Sequence, residues 1–98
     1  MEEILTKITD IIETYESGSF KDLHIMHREL TCNMYYLSQE QVKAHQNWNA
    51  HYYNSKEKTN AGKERDCDKE IPELYLCRKI METAKGVSIA MGYEIKMN

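Results

Sequence analysis

Apolar residues in the first segment fall at Ile4, Leu5, Ile8, Ile11, Ile12 and Tyr15. That spacing puts them on one face of an amphipathic helix over residues 1–17, with most of the acidic side chains on the other face. Ser17-Gly18 should stop it, because glycine accepts the left-handed conformation that ends a helix. Ser19, with Asp22 three residues on, is the expected cap of the next helix. A second stripe then runs Leu23, His27, Leu30, Met34, Leu37, Gln41, Ala44 and Trp48, in alternating steps of four and three. Such a seam belongs to a long helix packed along another helix. It is expected to span residues 19–58, on the order of 57 Å at the α-helical rise. Ser38 with Gln41 leaves a break near Leu37 open.

Thr59-Asn60-Ala61-Gly62 reads as the turn, residues 59–62. The third helix, 63–97, carries Leu74, Cys77, Met81, Ala84, Ser88, Met91 and Ile95 at the same spacing. Pro72 either kinks it or opens its main part, where a missing N–H costs nothing. Small residues at Ala84, Gly86, Ser88 and Ala90 would permit close helix packing. The expected fold is all-α and one domain, 1–98: a long, coiled-coil-like antiparallel helical hairpin with a short N-terminal amphipathic helix added. That helix packs on the open end of the hairpin or on a second copy. Ile4, Ile8, Ile11, Ile12 and Tyr15 are thus the candidate oligomer or partner interface of a homo-oligomer, a dimer or larger.

Charge refines the picture. The net charge is −3. Residues 1–20 hold one lysine against five carboxylates, a balance of −4, while 21–60 stand at +1 and 61–98 at zero. The chain therefore exerts no overall pull on nucleic acid, although a local basic patch is compatible with it. Cys32, Cys67 and Cys77 form no CxxC pair, and an odd count fits a reducing compartment. Met1 is followed by Glu2 and Glu3 rather than a signal peptide, and no apolar run is long enough for a membrane span. The expected setting is soluble and cytoplasmic, with no membrane partner.

Candidate chemistry is sparse. His24 and His27 share a helix face, but Cys32 lies at the wrong angle to complete a metal set and no HExxH occurs, so no metal or cofactor is expected. Cys77 reads as core and Cys32 as half-buried. Cys67 lies among acidic neighbours that raise rather than lower a thiol pKa. With no phosphate loop and no supported nucleophile, the chain reads as a non-enzyme with no catalytic residue.

The most distinctive composition spans residues 43–65. Trp48, Tyr52 and Tyr53 stand among histidines and asparagines, followed by Lys56, Lys58, Lys63 and Arg65. Aromatics for stacking beside cations for phosphates describe a single-strand binding surface or a partner contact. Packing of the same aromatics within the fold is the competing and favoured reading, because the basic patch is diluted by Glu57, Glu64 and Asp66.

Three stretches carry a family resemblance over about residues 30–97. They are Leu30-Thr31-Cys32-Asn33-Met34-Tyr35-Tyr36-Leu37, then Tyr52-Tyr53-Asn54-Ser55-Lys56, then Leu74-Tyr75 with Gly92-Tyr93-Glu94-Ile95-Lys96. In these the chain resembles the small helical-hairpin proteins of bacteriophages, and among them the UvsY-type recombination mediators. The resemblance implies a helical oligomer that binds single-stranded DNA and helps load a recombinase onto strands coated by single-strand-binding protein. It also implies that Tyr52, Tyr53, Lys56 and Lys58 match the DNA-contacting region. An alternative expectation is a small phage inhibitor of a host defence nuclease, anti-CRISPR-like, acting through protein–protein binding by the acidic face of residues 2–16.

Overall fold

A computed structural model describes residues 1–97. The described residues form four helices and no strand: α1 (Glu2–Ser17), α2 (Leu23–Asn54), α3 (Asn60–Glu70) and α4 (Glu73–Met97). No helix among them is long and apolar enough to cross a membrane.

The end of α1 follows from Gly18. Its φ of 74° is left-handed, and its N–H donates to the Tyr15 carbonyl. The Ser19 N–H reaches back to the Thr14 carbonyl at 3.2 Å, which completes a Schellman closure. The Phe20 ring stacks on Tyr15 at 5.8 Å and seals the turn. Ser19 is thereby engaged in ending α1, and the capping of α2 passes to Asp22. Its carboxylate accepts from the N–H groups of His24 and Ile25. The expected Ser19 cap is thus corrected to Asp22.

α2 is continuous through Leu37. Ser38 does not cap a new helix, because its hydroxyl donates to the Tyr35 carbonyl within the same turn. The helix stops at Asn54, four residues short of the expected end, where Ser55 turns to an extended conformation. At 32 residues α2 is about 48 Å long.

The stretch 59–62, expected as the turn, is the beginning of a helix. Thr59 caps α3, its hydroxyl accepting from the Gly62 N–H at 2.9 Å. The actual connection is residues 55–59. The expected 63–97 helix is likewise two helices. Ile71, preceding proline, is held at φ −125° and ψ 69°, outside the helical region. Pro72 then opens α4 without losing a needed donor, and its carbonyl accepts from the Leu76 N–H.

α2 and α4 form the antiparallel hairpin. α1 runs antiparallel to α2 and alongside α4, with Met1 near Cys77 and Tyr15 near Glu94. Leu30, Leu37, Met81, Ala84 and Met91 fill the α2–α4 seam, and Ile8 and Ile12 close it from α1. The N-terminal helix therefore packs along its own hairpin, not on the open end. Ile8 and Ile12 are buried there, while Ile4, Ile11 and Tyr15 are half-buried against the same core. The five residues expected as an oligomer or partner interface thus lie against the chain's own hairpin. The short 18–22 connection places that apolar face on the nearest matching groove.

Ala84 and Ser88 belong to the seam, whereas Gly86 is exposed with open space around it and mediates no close approach. The result is a rod of 56 × 20 × 19 Å. Its radius of gyration is 16.7 Å, against about 13 Å for a compact chain of this length.

Candidate interaction surface

α3 has almost no apolar face: its buried residues are Gly62 and Cys67. Polar side chains hold it against the end of α2. The Trp48 indole N–H donates to Asp68 at 3.0 Å. One turn on, His51 Nε2 lies 2.9 Å from Asp66 Oδ2, and the Ser55 hydroxyl donates to the same oxygen at 3.0 Å. The Tyr52 hydroxyl donates to Asn60, and the Cys67 thiol faces the Trp48 carbonyl. The Ser55 hydroxyl, then His51, hold the Asp66 carboxyl below its ordinary range.

This network divides the seven residues expected to meet nucleic acid or a partner. Trp48 stacks on Tyr52 at 5.6 Å and 18°, and Lys63 lies over the Tyr52 ring at 5.5 Å. Those three belong to the α2–α3 junction. Tyr53 is 83% exposed and meets Tyr52 edge-on. Lys56, Lys58 and Arg65 are exposed as well. The exposed part of the expected site is therefore one aromatic ring and three cations at the far end of the rod. Glu57, Glu64 and Glu70 are exposed at the same end.

The thiols and histidines take structural places. Cys67 and Cys77 are buried, and burial pushes both thiols up. For Cys67 the carboxylates of Asp66, Asp68 and Glu64 add to that shift. Cys32 is exposed rather than half-buried. His24 is exposed, and His27 lies 3.3 Å from the Ser88 hydroxyl across the seam. Among the described residues no three histidine, cysteine or carboxylate side chains gather as a metal site.

A second surface lies on the hairpin side opposite α1. The groove there has a volume of about 700 Å³, and its α2 wall includes Met34, Tyr35, Ser38, Gln41 and Val42. Met81 and Lys85 supply the α4 wall. His45 joins this groove to a smaller one that reaches Tyr75 and Arg78. The sequence carries a signal for it: the positions flanking the seam at 31, 35, 38, 42 and 45 hold no Asp, Glu, Lys or Arg.

No family model, curated protein or solved structure matches this chain.

Proposed function

We propose that this chain is a non-enzymatic accessory protein that binds single-stranded DNA alongside partner proteins, in the manner of the phage recombination mediators, within the cytoplasm of a host cell. One observation carries the reading. Tyr53 stands free at the end of the rod, with Lys56 and Lys58 on the adjoining 55–59 connection. An exposed ring offers a base a stacking face, and the lysines meet the flanking phosphates. Trp48, Tyr52 and Lys63 act as the rigid support of that ring.

Fluorescence anisotropy with a labelled oligodeoxythymidine at two salt concentrations tests it. Binding should weaken with salt, and combined Lys56→Ala and Lys58→Ala substitution should reduce both the affinity and its salt dependence. Tyr53→Ala should weaken binding at either salt, since base stacking contributes about 1–3 kcal/mol. Binding that ignores all three substitutions would remove this end of the rod as the site.

A second reading has its own support. Glu2, Glu3, Asp10, Glu13 and Glu16 are all exposed, on the side of α1 turned away from the core. A carboxylate row of this kind suits the cationic channel of a host defence nuclease, which the chain would inhibit by occupying it. Reversal of Glu2, Glu3, Asp10 and Glu13 to lysine should then abolish inhibition in a cleavage assay. Full inhibition by that variant would eliminate the reading.

A further inference from the structure

A two-helix hairpin has two long grooves. α1 fills one with Ile8 and Ile12, and no element among the described residues covers the other. We infer that a second copy of this chain packs lengthwise on the uncovered α2–α4 groove, forming a two-fold dimer. This goes beyond the DNA-binding reading and stands whether or not the rod's end meets a nucleic acid.

The first argument is chemical. Charged residues make up 30% of the chain, yet none of the α2 side chains that line the groove is Asp, Glu, Lys or Arg. Tyr35 and Val42 stand 61% and 58% exposed on it. Charge depletion with aromatic and methionine enrichment marks the centre of a protein interface. An uncharged wall is a poor match for a phosphate backbone and a good one for another uncharged wall. On α4, Ile89 and Tyr93 follow Lys85 at helical spacing of four and are 60% and 64% exposed. Ile89 adjoins Lys85 on this side of α4, and Tyr93 lies about 80° round the helix from Lys85.

The second argument is electrostatic. A two-fold contact presents the same surface to itself, so like charges on it repel. The outer face of α1 carries five carboxylates and is excluded on that ground. The lining of this groove contains no carboxylate and one cation, Lys85, while the smaller groove past His45 carries Arg78 beside Glu64 and Asp68, charges of both signs. An antiparallel two-fold near Ser38 sets the two Lys85 side chains on opposite sides of the axis.

Area decides the direction of packing. A stable interface covers about 800 Å² on each partner. A long side of a 56 × 20 Å rod offers enough, whereas a 20 × 19 Å end does not. Lengthwise pairing on the uncovered groove meets all three conditions.

Sedimentation equilibrium of the full chain, with the mass followed against concentration, is the test. The expected mass is that of two 11.6 kDa chains. Val42→Lys should weaken dimerisation by about tenfold or more, because it puts a charge at the centre of an uncharged contact. Val42 is exposed in the single chain, so circular dichroism should show an unchanged helix content. Ser38→Cys in a Cys32→Ser background should give a disulfide-linked dimer under mild oxidation. A monomer at all concentrations overturns the proposal. So does a dimer that Val42→Lys leaves intact, since its interface then lies elsewhere.

Discussion

The indole nitrogen of Trp48 and the carboxylate of Asp68 sit 3.0 Å apart across the α2–α3 junction. Around this bond the junction is assembled from polar contacts, because α3 brings almost no apolar surface of its own. Trp48→Phe keeps the stacked ring on Tyr52 and deletes the donor. It should cost about 1 kcal/mol, the net contribution of one hydrogen bond. Hydrogen exchange localises the effect: amides of α3 should exchange faster while those of α1 and the α2–α4 seam keep their protection. Uniform loss across all helices would mean that α3 unfolds only with the rest of the rod.

The junction is also sensitive to acid. Bonds from Ser55 and His51 lower the Asp66 pKa below its ordinary value of 3.8. A carboxyl whose folded pKa is depressed adds stability that is fully present above the unfolded value and disappears as pH falls through the folded one. The contribution of Asp66 is therefore intact at neutral pH and lost below about pH 4. Trp48 is the one tryptophan of the chain, so its emission reports on the junction. Acidification should shift that emission to the red as α3 loosens. Asp66→Asn should reduce the amplitude of the shift, and an unchanged titration curve would place the acid-sensitive group elsewhere.

The stripes of four and three made the helical class and the antiparallel α2–α4 pairing legible, because burial of a seam leaves a period in the sequence. Gly18 was legible for the same kind of reason, as the residue type its φ requires. The α2–α3 junction was not. Thr59-Asn60-Ala61-Gly62 fits a loop as well as a capped helix start, and only the polar contacts made later by Asp66 and Asp68 decide between them. The destination of Ile8 and Ile12 was equally hidden. An amphipathic face states that something covers it, and the partner is set by the 18–22 connection. The two buried isoleucines seat α1 on its own hairpin, and the uncharged flank of α2 becomes significant only once α1 is placed on the other side.

Gly18 gives a direct check on that local reasoning. A Cβ there would meet nothing within 4 Å, so steric crowding plays no part. The cost of Gly18→Ala comes from the left-handed backbone alone and should be about 1 kcal/mol. Thermal unfolding should fall by a few degrees, with helix content at low temperature unchanged. Gly18→Asn should recover part of the loss, because asparagine tolerates this conformation better than alanine.

Gly62 answers to a different constraint. Its backbone is ordinary, but an added Cβ would lie 2.9 Å from the Thr59 hydroxyl oxygen that caps α3. Alanine there must push that hydroxyl aside and lose the cap, at a cost of about 1 kcal/mol. Since the cap is what is lost, Thr59→Ala should cost a similar amount and the double variant little more than either alone. Additive losses in denaturant titration would show that the Cβ disturbs something besides the cap.

The placement of α1 is tested most sharply at Ile8, which is fully buried between α2 and α4. Ile8→Ala removes buried methyl groups and leaves a cavity in the core that α1 shares with α2 and α4, for a loss of about 2–5 kcal/mol. Glu13→Ala, on the exposed outer face of the same helix, should change stability by less than about 0.5 kcal/mol. Urea unfolding at several protein concentrations separates this arrangement from one in which α1 serves a second copy. With α1 seated on its own chain, the Ile8→Ala loss is the same at every concentration. If Ile8 instead lay between copies, the deficit would vanish at concentrations where both proteins are monomeric and grow as concentration rises, because an intermolecular contact stabilises only the associated form.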